Sequence, residues 1–325
     1  MRKFIALPLA ASLFVMPAIA NDSTAEMGAG GLVLLKTDAI DMVSEDLYIS
    51  PDAVRVRYVF HNRTDKDVRT VVAFPMPDET LAERDYGDVA YPHDFVTRVA
   101  GKTVTMALEE KATLNGKDHT AMLAALKVPL ADDPDTRLDQ LGKADQDRLL
   151  ALGLATQEGG DAPGAPRHLM AAWTVKRTYH WTQLFPAGRD LAIEHNYAPG
   201  TGGSVGTPLT MPGFRGDAEG KAYVARYCTD AAFLAGVDRF ARAAGGGDAA
   251  LPEMRVQYVL KTGANWRAPI GSFRLVVDKI APGNLISFCA DGVRKISPTQ
   301  FEVRHQNWRP DRDLDILIVK PRPRD

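Results

Sequence analysis

The sequence predicts a mainly β chain: antiparallel β-sandwich domains that carry a helical insertion at about residues 115–155 and one further helix at about 229–244. Three observations predict it. Val54, Val56, Tyr58 and Phe60 alternate with polar residues, and Val68, Thr70, Val72 and Phe74 do so again, the period-two signature of half-buried strands. Similar short runs recur through the chain, separated by Gly, Pro, Asn and Asp at roughly the 8–12-residue spacing of a sandwich. Helical spacing of apolar residues replaces this alternation in the two helical regions.

Residues 1–20 read as a secretory leader. Arg2 and Lys3 precede an apolar run from Phe4 to Met16, and Ala18-Ile-Ala20 offers a small–x–small cleavage site. Pro8, Pro17 and the shortness of the run argue against a spanning helix, which needs about 20 apolar residues. The chain is therefore expected to start at Asn21 after cleavage near Ala20, and to be periplasmic or secreted. Asn21 is not a cysteine, so no lipid anchor is expected. No later apolar run is long enough to span a membrane, and Lys320–Asp325 lacks the aromatic terminus of an outer-membrane barrel.

The elements then follow in order. Leu32–Leu35 is a short strand after a glycine-rich segment. Asp41–Asp46 reads as a polar stretch, and Leu47–Pro51 leads into the central pair, expected as a hairpin about Asn62–Asp67. Phe74-Pro-Met-Pro77 stops the second strand, because proline cannot donate to a ladder. Phe95–Val99 and Lys102–Leu108 form a second hairpin across Ala100-Gly101. Asp118 can cap a helix through Met122, Leu123 and Leu126 that Pro129 ends. Asp135 or Thr136 can start another with Leu138, Leu141, Leu149, Leu150 and Leu152 at helical spacings. Thr156–Pro166, rich in Gly and Pro, is a loop. Trp173, Val175, Arg177, Tyr179 and Trp181 share one face of a long strand; Leu191, Ile193, His195 and Tyr197 line the next. Pro199–Gly220 is a long connection. A helix from Thr229 or Asp230 carries Phe233, Leu234, Val237 and Phe240 and ends at Gly245–Gly247. Strands at Val256–Leu260, Phe273–Val277, Leu285–Cys289, Phe301–His305 and Leu314–Val319 complete the chain. These runs divide it into a leader (1–20), an N-terminal β domain (21–215) with a helical insertion at about 110–167, and a C-terminal helix plus β domain (216–325).

The 325 residues are 45% hydrophobic and 25% charged, ordinary globular material. The formal charge is −2, and removing Arg2 and Lys3 makes it more negative. That argues against a nucleic-acid or anionic-membrane partner, since there is no basic excess to release counterions, and no nucleic-acid partner is expected.

Cys228 and Cys289 both lie beyond the leader. In an oxidising compartment they can pair, closing a loop of about 60 residues worth roughly 4 kcal/mol in the chain-entropy model; two buried free thiols are the alternative. No CxxC occurs and no histidine follows Cys228 before His305, which argues against a catalytic thiol. Gly202-Gly-Ser-Val-Gly206 fits GxSxG in letters, but the flanking Pro199, Pro208 and Pro212 leave no helix for a nucleophile elbow. Gly101-Lys-Thr103 lacks the first glycine of a phosphate loop, and Lys261-Thr-Gly263 has no SxxK partner. Asp132-Asp-Pro-Asp135 lacks the glycine and closing glutamate of a calcium loop. No metal site, catalytic residue or cofactor is assigned.

The candidate binding residues are Tyr91, His93 and Asp94, in the polar loop after Phe-Pro-Met-Pro, and His180 and Trp181 on the long strand. Trp173, Tyr179 and Trp181 can also form an aromatic row for stacking on a glycan, though such a row on an alternating strand more often faces the core. His195, inside an apolar row, reads as a hydrogen-bonded structural histidine.

The chain resembles a family of exported bacterial proteins, domain-of-unknown-function family 4424. The resemblance rests on Asn21-Asp-Ser-Thr-Ala-Glu26 with Gly30-Gly-Leu32, Ser44-Glu-Asp-Leu47 with Ser50-Pro51, and Val72-Ala-Phe-Pro-Met-Pro77. It continues through Glu194-His-Asn-Tyr-Ala-Pro199, Leu260–Trp266 with Pro269-Ile-Gly271, Ser287-Phe-Cys289 and Asp311–Asp315. It implies an envelope location and brings no activity. The reading is a non-enzymatic binding module for an envelope protein or glycan. The alternatives are a structural or assembly module, and an envelope hydrolase using a His/carboxylate pair at His93 or His180.

Overall fold

The computed structural model describes residues 21–28, 31–83, 93–159, 167–246 and 250–322. Along the chain, β1 (Ser23–Gly28) and β2 (Gly31–Leu35) are followed by β3 (Ile40–Ile49), β4 (Val54–Asn62), β5 (Val68–Pro75) and the short β6 (Glu79–Thr80). Next come β7 (His93–Val99), β8 (Lys102–Val104), β9 (Ala107–Leu114) and β10 (Lys117–Asp118), then helices α1 (Thr120–Ala125), α2 (Pro134–Asp139) and α3 (Lys143–Ala151). After β11 (Ala155–Gly159) and β12 (Arg167–Ala171) come the long strands β13 (Thr174–Phe185) and β14 (Asp190–Ala198), then β15 (Thr201–Ser204). The last part holds α4 (Ala218–Tyr227), α5 (Ala231–Ala243), β16 (Glu253–Tyr258), β17 (Ile270–Asp278), β18 (Leu285–Phe288), β19 (Arg294–Lys295), β20 (Gln300–Trp308) and β21 (Leu314–Val319).

Among the described residues these strands form three main sheets. Sheet I runs β10-β9-β13-β5-β1-β2, with β6 also on β13; sheet II runs β19-β20-β17-β3-β4-β14-β7-β8; sheet III runs β15-β16-β21-β18. The pairings are antiparallel except that β17 lies parallel to β3, which brings strands of the C-terminal part into sheet II. The shared core holds Phe60, Phe74, Phe185, Tyr258, Trp266, Phe273 and Ile316. Leu317 and Val319, on the other face of β21, pack on α4 and α5.

The central pair is not a hairpin. β4 belongs to sheet II, between β3 and β14, whereas β5 belongs to sheet I, between β13 and β1. β13 and β14 cross between the same two sheets in the same way, so two corners lie against each other. Asn62, fully buried, ties them by donating to Lys66 O at 2.8 Å and Phe185 O at 2.9 Å. Asp67 accepts from the Ala187 amide at 2.9 Å. Period-two alternation fixes which face of a strand is buried, and a sheet-crossing corner satisfies it as well as a hairpin does.

Four other stretches depart from expectation. The polar stretch Asp41–Asp46 is strand: β3 turns Met42, Glu45 and Leu47 inward around a bulge between Met42 and Ser44. An inward glutamate spoils the alternation that would have announced it. The second insertion helix is two, α2 and α3, broken at Gly142, and part of the expected loop at Thr156–Pro166 pairs as β11 with β12. The insertion has its own core around Leu123, Leu138, Leu149 and Trp173, whose indole donates to Leu130 O at 2.8 Å. α4 falls within and beyond the expected Pro199–Gly220 connection. Asp217 caps it by accepting from Gly220 N at 2.7 Å, and Gly220 is required there because a Cβ would lie 1.7 Å from Phe214 O. The helix expected at 229–244 forms as α5, capped by Asp230 through Phe233 N at 2.6 Å.

Cys228 and Cys289 are disulfide-bonded, so the free-thiol alternative is closed. The bridge ties the end of α4 to the residue after β18. No helix among the described residues is long and apolar enough to cross a membrane.

Candidate functional site

Beside the disulfide lies a groove of about 610 Å³ between the end of sheet II and the edge strand β18 of sheet III. Its floor is aromatic because β17 and β20 present Phe273 opposite His305, and β20 ends at Trp308. Phe273 and Trp308 sit 4.6 Å apart between ring centroids, and His305 stacks on Trp308 at 4.9 Å. Phe273 is buried, while His305 and Trp308 are only partly covered. The rim is polar and mixed in charge, with Asp291, Arg309, Asp311 and Arg312. Aromatic floor plus a few charged rim groups is the composition of a small-molecule or oligomer site of ordinary size. The disulfide fixes one wall, and Ser287 Oγ fixes the adjoining backbone by donating to Tyr227 O at 2.9 Å.

A second, smaller cleft of about 190 Å³ lies where the Phe74-Pro-Met-Pro77 segment meets sheet III and α4. Arg177, Arg226 and Arg255 reach it. Arg177 is 6% exposed and is held by Glu79 and Glu110, each at 2.7 Å. Its lining is charge-paired rather than apolar.

Between the sheets lies a third feature, a buried polar knot. Asn21, Asp22 and Ser23 are fully buried, as is Glu45 at 1% exposure. Asn21 Nδ2 donates to Glu45 Oε2 at 3.0 Å. His195 Nε2 faces Asp22 Oδ1 at 3.1 Å, and its Nδ1 meets Thr97 Oγ1 at 2.7 Å. Thr97 donates its hydroxyl to Met106 Sδ, so it accepts from His195 Nδ1–H, and one proton lies between the imidazole and Asp22. Tyr58 and Tyr258 close the pocket with their hydroxyls 3.0 Å apart. Burial pushes the Glu45 carboxyl up to about 8; the Asn21 hydrogen bond opposes this and neighbouring Asp22 adds to it. Asp22 is likewise raised by burial, with His195 opposing. Five of the segments that carry the family resemblance, those holding Asn21, Glu45, Phe74, His195 and Trp266, meet here.

Among the described residues, none of the candidate binding residues lines the groove, but Trp181 meets the knot, its ring edge-on to His195 with centroids 5.7 Å apart. Tyr91 is outside the described residues, and His93 opens β7 with its side chain outside them. Asp94 is exposed with a left-handed φ of 57°. His180 is half-buried on β13, cross-strand from Ala73 and Ala107, in a different sheet from β7. Trp181 faces the core at 6% exposure and donates to Gln183 Oε1 at 3.1 Å; Trp173 is fully buried. His195 is the buried, hydrogen-bonded histidine its apolar row suggested. Phe273 and His305 were legible only as strand residues and Trp308 fell beyond the expected Phe301–His305 strand; their meeting depends on the β17–β20 pairing.

A fold of sheets crossing at two corners around a buried polar knot defines the class. The chain belongs to the family described as domain of unknown function DUF4424, which matches residues 20–317. No curated protein matches it. Among solved structures it is similar to a Legionella pneumophila protein with a provisional description as nutrient-binding, at TM-score 0.45 and 16% identity over 93% of this chain and 70% of that one. It is also similar to an M1 zinc metallopeptidase of Deinococcus radiodurans, at TM-score 0.27 and 8% identity over 88% of this chain and 44% of that one. Neither likeness bears on function at these values.

Proposed function

We propose that this chain is an exported, non-enzymatic binding module of the cell envelope, and that the aromatic groove beside the disulfide takes a glycan. The observation that carries the reading is the partly exposed stack of His305 and Trp308 over Phe273, rimmed by Arg309, Asp311 and Arg312. Flat aromatic rings accept the apolar face of a sugar ring, and the rim carboxylates and guanidiniums can bond its hydroxyls. The leader pattern in residues 1–20 and the Cys228–Cys289 bridge, a bond that persists in oxidising compartments, support export to the periplasm or beyond.

Trp308 supplies the test. Trp173, Trp181 and Trp266 are buried, so a ligand in the groove changes indole emission mainly through Trp308. Soluble envelope oligosaccharides are titrated against the protein by fluorescence and by calorimetry, the latter also reading Trp308→Ala, which lacks the reporting indole. Saturable binding that Trp308→Ala weakens by about tenfold or more is expected, the loss typical of an aromatic anchor. Unaltered binding by Trp308→Ala, or binding of extended peptides in preference to any oligosaccharide, contradicts the assignment.

A further inference from the structure

The knot contains an imbalance that the side chains do not resolve. Asn21 Oδ1, Asp22 Oδ2 and Glu45 Oε1 are buried and accept no hydrogen bond from any described residue. Two carboxyl groups and one histidine share the space, and among the described residues no Lys or Arg pairs with either acid. An isolated buried carboxylate is costly unless it is paired or neutralised.

The backbone at this point is firmly held. Thr262 Oγ1 donates to Asn21 O at 2.6 Å, Trp266 Nε1 to Asp22 O at 2.7 Å, and Asn265 Nδ2 to Ser23 Oγ at 3.1 Å. Gly263 lies so close that a Cβ there would sit 2.8 Å from Asn21 Nδ2. The turn at Lys261–Asn265 thus grips Asn21 directly against Glu45.

We propose that proteolytic cleavage between Ala20 and Asn21 creates the missing cation, the α-ammonium of Asn21, which serves as the internal counter-ion of Glu45 and Asp22. Hydrolysis of that amide consumes one water, leaves a carboxylate on Ala20 and an amine on Asn21. The amine takes up a proton, since α-amines ordinarily titrate at about 7.7–8.0. The ammonium has three N–H donors, and the knot offers three oxygens without partners. The uncleaved amide has one N–H and no charge, so it leaves both the acceptors and the acids unmatched. Occurrence of the cut in the cell rests on the export reading; the fit of the ammonium to the knot does not. The knot is on this account a processing-dependent site, complete only in the trimmed chain.

The two claims are tested separately. Intact mass of the protein exported with its own leader reads the cut. The chemistry is tested on a chain whose fusion partner is removed without a scar to leave Asn21 first, compared with the same chain carrying one added glycine before Asn21. In the folded Asn21-first protein the α-amine is expected to react with an amine probe about 100-fold more slowly than after unfolding, as a buried group opened only by unfolding does. The added glycine is expected to lower Tm by about 5 °C or more. Glu45→Gln should lower Tm in the Asn21-first chain and not in the extended one; if that variant fails to fold, the glycine extension still decides. An amine equally reactive folded and unfolded, an unchanged Tm on extension, or a stoichiometric metal ion whose chelation reproduces the loss would overturn the proposal.

Discussion

Glu302 and Glu45 lie on opposite faces of one sheet and are given opposite company. Glu302, on the outer face of β20, is 4% exposed and accepts from Arg304 at 2.9 Å, Arg274 at 2.9 Å and Arg294 at 2.7 Å. Arg304 and Arg274, followed by Arg294, hold its carboxyl down at about 2. Glu45, on the inner face of β3, has the Asn21 amide and the Asp22 carboxyl as neighbours and is pushed up to about 8. The outer face can solve its problem with arginines, because their long stems reach across neighbouring strands while their heads stay near water. The inner face is closed by Tyr58, Tyr258 and Trp266 and has no such route. His195 faces Asp22 there, and among the described residues no Lys or Arg reaches either acid; on the proposal above, the new terminus supplies the second cation.

The largest effect that sharpens this contrast is a change of sign. In the Asn21-first chain at pH 7, Glu45→Gln removes one partner of a buried pair and is expected to cost about 3–4 kcal/mol in urea unfolding. In the glycine-extended chain the same substitution relieves an acid held out of its ordinary range and should stabilise by about 2–3 kcal/mol. Equal effects in both chains would break the comparison. Next is Arg177→Met in the charge-paired cleft. It removes the guanidinium from which Glu79 and Glu110 both accept and should cost about 2 kcal/mol, less than a dry pair because Glu110 is partly in water, read by the same unfolding assay.

Glu302 gives a pH test of the outer face. Its folded value is depressed from an ordinary 4.5 to about 2, so the unfolded chain binds the extra proton between them. The stability it confers is whole above about pH 4.5 and is lost as pH falls towards 2. Glu302→Gln should flatten that acid limb and lower stability at pH 7 by about 2 kcal/mol, less than a fully dry pair because its arginines are partly in water. The smallest effect is at Asp41. Burial opposes its ionisation, but Arg267 and Arg63 outweigh that and hold the carboxyl low. Asp41→Asn should cost about 1 kcal/mol, since both guanidiniums are close to half exposed.

How much of this was readable from the chain follows from what each signal encodes. Alternation at Val54–Phe60 and Val68–Phe74 announced two strands and their buried faces, and both exist. It did not announce their partners, which lie 123 residues away for the Asn62–Phe185 tie. α5 was readable because Asp230 and the Phe233–Val237–Phe240 spacing agree; α4, which buries few side chains besides Tyr227, carried no such stripe. The disulfide was readable as a possibility from compartment and count, and the groove it walls was not. The knot was the least readable feature. Its partners are separated by 24 residues at Asn21–Glu45 and 173 at Asp22–His195, and its polar members interrupt the very patterns used to find strands.

The central claim is that the trimmed terminus neutralises the knot, and the most direct measurement is stability against pH for the Asn21-first and glycine-extended chains side by side. In the extended chain Glu45 titrates near 8 when folded and at an ordinary 4.5 when unfolded, so the folded state holds the extra proton between those values. Its stability must therefore fall as pH rises from about 4.5 to 8, and Asp22, raised in the same direction, adds to the loss. His195, Tyr58 and Tyr258 face the same pocket and are common to both chains. The Asn21-first chain is predicted to lack that decline, because its ammonium holds the acids ionised. Parallel curves for the two chains would contradict the account.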